Sequence, residues 1–428
     1  MPLLSPPLSN TKFSLNAWSI AGIFGGEETI SALNLIPLYH GRRWFGWYNS
    51  PGSLEVARHF FRIVQSQFWE RLIPHTTKSP ATLFSFDGQV GPRYTAALSG
   101  TEMQTGHLGY LVMERCREIQ VETVIGGKET MPAHVALIDL NSVNYEHNVP
   151  HLSKCDALRA LIPIIVSIVT CVMCACVFDW YSFSVILVGI LASMAIGSGK
   201  LILKSGWNHV RVPLLGHGIL VPVTWEDMVV VVKGKDHAVN IITKGKFGLE
   251  LHAITRCSLL HILKFLAQLF IPQGAPFGQL MFIISLCVSW AYNFYTSLSR
   301  IEKLQADILF QELGDPRIAK FVLGNRTTMP VFVALLVFYG VDNPPPTAVQ
   351  KTLRTFLPND TEVWEKWREK VTRQVCNKSS SCLKLDDEGD DNGLTESDKK
   401  LLDMILRDAR VAYDGYLQTQ PFGERKFL

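Results

Sequence analysis

Charged side chains are scarce in this chain. Asp, Glu, Lys and Arg make up 18% of its 428 residues, where a soluble protein carries roughly 25%. Neither sign prevails: 41 basic residues face 38 acidic ones, for a net charge of +3. That balance implies no nucleic-acid partner. A disulfide framework is also lacking. There are nine cysteines, an odd number, and Cys171, Cys174, Cys176 and Cys287 lie inside apolar runs; soluble parts in a reducing compartment follow more easily. Met1–Gln65 shows no basic stretch leading into an apolar core, and Ala17–Phe24 is broken by Ser19 and Gly22, so no secretory leader is expected. No repeat of solenoid or propeller period occurs. G-x-S-x-G, H-E-x-x-H and paired C-x-x-C units at metal spacing do not occur either. No catalytic, cofactor-binding or metal-ligating residue is therefore assigned, no cofactor is expected, and an enzyme is the less favoured class.

What the chain has is hydrophobic length. Apolar residues make up 47%, and mean hydropathy is +0.16. The chain is long enough for about three soluble domains, but its apolar residues are gathered into blocks too long for ordinary core elements. The first, Ala157–Phe178, has about the 20 residues a bilayer core needs, and Arg159 at its start can snorkel. Asp179-Trp180-Tyr181 separates it from Ser182–Gly199, so the two predict a tight transmembrane hairpin with Trp180 and Tyr181 in the aromatic belt. Leu259–Ile271 is weaker, being short and carrying His261, Lys264 and Gln268. After the turn at 272–276 comes Phe277–Tyr295, a convincing span ending in Trp290, Tyr292 and Tyr295. These two read as a second hairpin, with a re-entrant third segment as the alternative.

The expected fold is a polytopic α-helical membrane protein: two transmembrane hairpins with cytoplasmic α+β and helical regions. Residues 1–150 read as a soluble α+β domain, 157–203 as hairpin 1, 204–256 as a small α/β insert and 257–296 as hairpin 2. Residues 297–343 read as an amphipathic helix and a short apolar helix, and 344–428 as a helical tail with a disordered acidic linker at Ser379–Asp391. In the first domain, Ser53 is expected to cap a helix running to about Leu72, and hairpins are expected at 82–86 with 94–98 and at 118–125 with 134–140. In the insert, 228–233, 235–243 and 247–251 read as strand–helix–strand. In the tail, Pro344-Pro345-Pro346 reads as a stiff linker and Thr395 with Asp398 as a capping box.

Charge sets the orientation. The turns at 179–181 and 272–276 carry no Lys or Arg, whereas the loop between the hairpins carries Lys200, Lys204, Arg211, Lys233, Lys235, Lys244, Lys246 and Arg256. Lys154 and Arg159 precede the first span; Arg300 and Lys303 follow the fourth. Four spans with both termini in the cytoplasm satisfy the positive-inside rule. A five-span alternative, with Pro330–Val341 crossing, turns the tail outward and exposes Asn359-Asp360-Thr361 and Asn377-Lys378-Ser379 to glycosylation, with a third such triplet at Asn325-Arg326-Thr327.

The stretch Cys155–Val341 contains Gly197-Ser198-Gly199-Lys200, VVVVKGKDHAVNIITKGKFGLEL from Val229 and FGQLMFIISLCVSWAYN from Phe277. In these blocks it resembles uncharacterised multi-pass membrane proteins of mushroom-forming (basidiomycete) fungi. The resemblance covers under half the chain. It implies a membrane class and brings no activity and no functional residue.

Two constellations stand out as sites. Gly189, Ser193 and Gly197 recur at every fourth position on the second span, a spacing of small residues that lets helices approach closely, with the first span as the expected partner. Cys257, His261, Lys264 and Gln268 share one face of the third segment. Either that face turns into the bundle as a polar seam, or Lys264 snorkels from a shallow helix. Cys171, Cys174 and Cys176 suit lipid-tolerant small residues better than soft-metal ligands, and Cys155 is a candidate for palmitoylation. Gly22–Gly26 and Gly126–Thr130 depart from the phosphate-loop pattern. His217 reads as loop structure, and the Trp44–Tyr48 aromatics as core or as a membrane or partner contact. The expected partners are the lipid bilayer and unidentified proteins. The leading function is a non-enzymatic membrane protein with cytoplasmic interaction domains. The alternatives are a small transporter or channel subunit using the 257–268 face, and a membrane-bound enzyme with a site in the N-terminal domain.

Overall fold

A computed structural model describes residues 24–35, 46–59, 61–62, 87–123, 130–140, 154–196, 201–204, 216–222, 228–249, 251–298, 301–339, 341, 343–376 and 394–419. In chain order the elements are α1 (Gly26–Leu35), β1 (Arg93–Ala96), β2 (Glu102–Gln104), α2 (His107–Arg117), β3 (Glu122–Thr123), β4 (Ala133–Asp139), α3 (Lys154–Cys176), α4 (Trp180–Ile196), β5 (Leu201–Lys204), β6 (Gly218–Val221), β7 (Val229–Lys233), α5 (Asp236–Lys244), β8 (Lys246–Leu249), α6 (Leu251–Gln268), α7 (Pro276–Ser297), α8 (Ile301–Glu312), β9 (Arg317–Leu323), α9 (Thr328–Phe338), α10 (Pro346–Phe356), α11 (Glu362–Cys376) and α12 (Glu396–Thr419). The chain is mostly helical with a mixed sheet. Among the described residues two helices, at Cys155–Cys176 and Pro276–Ser297, are long and apolar enough to cross a membrane.

The chain divides into two units. Unit 1 comprises residues 1–88, 147–204 and 247–311; unit 2 comprises 89–146, 205–246 and 312–428. This differs from the single domain expected over 1–150. The polar residues 49–53, which look like surface loop in sequence, find their hydrogen-bond partners among the apolar helices of unit 1, while the strands after residue 89 pair with strands from much later in the chain.

Unit 1 is built on α3, α4, α6 and α7. Near the two tight turns its interior is apolar, with Cys171, Cys174, Val185, Ile186, Ile190, Ile271, Phe282 and Leu286 packed together. The turns themselves meet. Asp179 Oδ1 accepts from the Ser182 amide at 3.2 Å, capping α4, while Oδ2 accepts from the Ala275 amide at 2.9 Å, just before α7. Phe178, in the left-handed region at φ 63°, makes the reversal into α4. Gly278 is required beside this carboxylate, because a Cβ there would run into Asp179 Oδ2 and Ser182 Oγ. The outer faces carry exposed aliphatic side chains. On α3, Leu158, Ile162, Ile165, Val169 and Val172 recur every three or four residues on the outside; on α6, Leu259, Leu263 and Leu266 do the same.

Unit 2 is organised around a seven-stranded sheet in the order β2-β1-β6-β7-β4-β9-β3. Two of its pairings, β4 with β7 and β3 with β9, are parallel; β1 with β2, β1 with β6, β6 with β7 and β4 with β9 are antiparallel. Val135 and Leu137 of β4, Val229 and Val231 of β7 and Phe321 of β9 face α9, which is buried along its whole length by α10, α11 and α12. The alternate residues Ala136, Ile138, Val230 and Val232 point to the other face and are also buried. On that face Lys320 donates to the Arg117 carbonyl of α2 at 2.8 Å.

Several expectations are corrected here. Strand 94–98 does form as β1, but among the described residues its hairpin partner is β2, through the turn at Gly100; residues 82–86 lie outside the described residues. The second expected hairpin does not form, because β9 lies between β3 and β4. Strand–helix–strand is present at β7-α5-β8, yet β8 pairs with β5 in a separate two-stranded sheet. Residues 330–338 lie in the core helix α9, buried along its length, which agrees with the short apolar helix expected there and removes the physical basis of the fifth-span alternative. The triple proline is a helix start, with Pro346 at the first position of α10. Asn325 is buried and accepts from the Thr328 amide at the start of α9 at 2.8 Å, so the first residue of the Asn-x-Thr triplet is engaged in the fold. Thr395 and Asp398 do form the reciprocal capping box of α12, at 3.4 Å and 3.3 Å. The acidic linker lies outside the described residues.

Candidate functional site

An irregular segment, residues 46–52, runs inside unit 1 and leads into the helical stretch 53–59. Its composition explains why it is not helical itself. Asn49, Ser50, Pro51 and Gly52 are turn residues, and Gly52 adopts φ 69°, where a side chain is strained. Backbone left outside a helix or sheet needs partners when it is buried. Side chains of α3 and α6 supply partners for the backbone at Asn49 and Ser50, while side chains of α4 and α7 bond the segment's own side chains. The Asn49 amide donates to Ser167 Oγ of α3 at 3.0 Å, and Asn49 Nδ2 donates to Ser285 Oγ of α7 at 2.9 Å. Lys264 Nζ of α6 donates to the Ser50 carbonyl and to Ser50 Oγ at 3.3 Å. Ser193 Oγ of α4 lies 2.8 Å from Ser50 Oγ and donates to the Gly189 carbonyl at 3.1 Å. Ser53 Oγ donates to Gln268 Oε1 at 2.5 Å. Tyr48 Oη donates to Asn293 Oδ1 at 2.8 Å, and Asn293 Nδ2 in turn donates to Thr29 Oγ1 of α1 at 3.0 Å.

The site lies deep. Ser167 is nine residues from the α3 end at Cys176, Gly189 nine from the α4 start at Trp180, and Ser285 nine from the α7 start at Pro276. Nine residues rise about 14 Å. Asn49 touches or abuts all three positions.

The structure places the sequence-derived candidates as follows. His261, Lys264 and Gln268 are all buried, at 0%, 0% and 1% exposure, so the seam faces inward rather than snorkelling. Nothing is described of the Cys257 side chain. Gly189 and Ser193 form a close-approach surface, but its partner is the 46–50 segment, not α3. A Cβ on Gly189 would collide with Asn49 Oδ1, and one on Gly46 would come within 3.1 Å of the Ser193 carbonyl. Gly197 lies outside the described residues. Tyr48 is core, while Trp47 is partly exposed. His217 Nδ1 accepts from the Gly234 amide at 3.1 Å, a loop brace in unit 2. Cys171 and Cys174 are buried thiols in the apolar layer, and Cys155 is exposed. Among the described residues no three His, Cys, Asp or Glu side chains are placed to hold a metal.

Ser167, Ser285, Ser289 and Asn293 went unread as site residues, as did Asn49, Ser50 and Ser53. One signal was available: Ser285, Ser289 and Asn293 recur every fourth residue and make a single polar stripe on an otherwise apolar helix. Comparison of the chain with family models, with curated proteins and with solved structures returned no match.

Proposed function

We propose that this chain is an integral membrane protein in which unit 1 sits in the bilayer as two helical hairpins, while unit 2 works in the cytoplasm as an interaction module for protein partners. The observation that carries this reading is the inverted polarity of unit 1. Its outer helix faces expose Leu, Ile and Val, while Asn49, Lys264, Gln268, Ser285 and Asn293 are inside. Water would favour the reverse arrangement; a bilayer favours this one. Aromatic residues mark both ends: Trp180 and Tyr181 are exposed at the turns, and Tyr295 lies at the far end with the Arg159 guanidinium 4.9 Å from its ring centre. Residues 276 to 295 rise about 29 Å, close to a hydrocarbon core of roughly 30 Å. Unit 2 has ordinary apolar-in packing. Two clefts meet at its Thr347 and Lys351, of about 180 and 410 Å³. Their basic groups are paired, Lys351 with Glu102 at 3.5 Å and Arg354 and Arg368 with Asp360 at 2.7 and 3.2 Å, which suits a contact surface better than a reaction centre. The test is extraction of the full chain from membranes at alkaline pH, with proximity labelling from the C-terminus. Retention and a reproducible set of labelled proteins are expected; release into the wash overturns the reading.

Transport by unit 1 is the second reading. What favours it is Lys264, an ionisable group at mid-depth, beside backbone that is neither helix nor sheet, a combination found where membrane proteins bind or pass solutes.

A further inference from the structure

We infer that unit 2 receives its protein partner in the two joined clefts flanking α10, and that the segment received there is an extended peptide carrying one apolar side chain and, about three residues away, a lysine or arginine. The inference rests on the reading of unit 2 as an interaction module. Thr347 and Lys351, one turn apart on α10, form a ridge that both clefts share. The smaller cleft, of about 180 Å³, lies between α10 and strands β1 and β6, and its walls include Ala97, Leu98, Ile219, Val221 and Phe356. An apolar cavity of roughly 150 Å³ holds a benzene-sized group, so this cleft suits one leucine or phenylalanine side chain. Leu98 is 49% exposed, and an anchor seated there would cover it.

The larger cleft, of about 410 Å³, lies between α10 and α11 and is lined by charge. Its cations are already committed. Lys351 pairs with Glu102 at 3.5 Å and donates to the Gly100 carbonyl at 2.9 Å. Arg354 and Arg368 share Asp360, and Arg368 also donates to the Asn359 carbonyl at 2.7 Å. Two of its carboxylates are not. Glu365 and Glu369, exposed and one turn apart on α11, enter no ion pair among the described residues. Like charges at that spacing on a helix repel each other, and a cation placed against them removes the repulsion. The cleft therefore selects a basic side chain over an acidic one. Gln350 and Thr352 stand on opposite flanks of the ridge. A helix is about 10–12 Å across and an extended chain advances about 3.3–3.6 Å per residue, so about three residues carry a peptide from one cleft to the other.

The full chain in detergent micelles is applied to an array of ten-residue peptides of random sequence. The tightest binder is then labelled with fluorescein and titrated by polarisation. Bound peptides are expected to combine Lys or Arg with Leu, Ile, Met or Phe two to four residues away. Glu365→Gln with Glu369→Gln should weaken the labelled peptide roughly fivefold, the loss of two surface ion pairs. Ser99→Trp, which fills the smaller cleft from an exposed position, should weaken it as well. An empty array, binding that ignores charge or prefers acidic peptides, or a titration that either variant leaves unchanged overturns the inference. So does self-association on size exclusion that the Gln variant abolishes, which assigns the clefts to a second copy of the chain. Proximity labelling from the C-terminus separates this inference from the reading beneath it. A partner set that persists in the Gln variant keeps unit 2 as an interaction module and overturns the clefts as its contact; no partner set in the wild type overturns both.

Discussion

At position 189 a hydrogen atom is all that separates the α4 backbone from Asn49. Gly189→Ala should push the 46–50 segment out of register and destabilise unit 1 by about 1–3 kcal/mol, seen as a lower Tm of the detergent-solubilised protein. Lys264→Met keeps the stem and removes the donor to the Ser50 carbonyl; leaving a buried acceptor unmet costs about 1–3 kcal/mol, so trypsin cleavage at Arg58 should speed up. In unit 2, His134 has a pKa below the usual histidine value because burial and the neighbouring Lys320 both oppose its charge. The unfolded chain therefore takes up the proton first as pH falls. The stabilisation is complete above the unfolded value of about 6.5 and is lost as pH drops from there toward the folded value. His134→Gln should flatten that part of the stability–pH curve. The polar face of α6 was legible, but the inward direction of Lys264 was not: the spacing fits a snorkelling side chain equally well, and only the buried position decides it. Nor was its partner: Ser50 lies 214 residues earlier, in a stretch that reads as a surface turn.

Among the elements, those specified by nearby residues were legible. Helical periodicity and length located α3, α4 and α7, and the Thr395–Asp398 spacing located the start of α12. Thr395→Ala should cost roughly 1 kcal/mol, measurable as a lower denaturation midpoint. Pairings specified by distant residues were not legible. The insertion of β9 between β3 and β4 depends on a strand nearly 200 residues downstream, which no local turn signal announces. An all-apolar helix such as α9 is ambiguous by composition alone. Eleven residues are too few to span lipid, and only the amphipathic helices α10 to α12 say what covers it.

For the whole molecule, the linear order of the chain misleads. It passes from one unit to the other at 88/89, 146/147, 204/205, 246/247 and 311/312, so composition shifts along the sequence do not mark the units. Truncation after Pro344 should strip α10, α11 and α12 from α9 and expose the apolar side chains of Val331, Phe332, Leu335 and Phe338. Such a variant is expected to elute in the void volume on size exclusion, whereas the full chain elutes as a discrete species.

The Asp179 clasp has a mechanical corollary. Because one carboxylate grips the α4 start and the approach to α7 together, the two hairpins are pinned like the spring of a clothes-peg. Any splaying has to grow with distance from that pin and be widest at the opposite rim, where Arg159 and Tyr295 touch. Asp179→Asn, which weakens the spring, is therefore expected to loosen the turn end of unit 1, read as faster amide exchange at residues 179–183 and 274–279 than in the wild type.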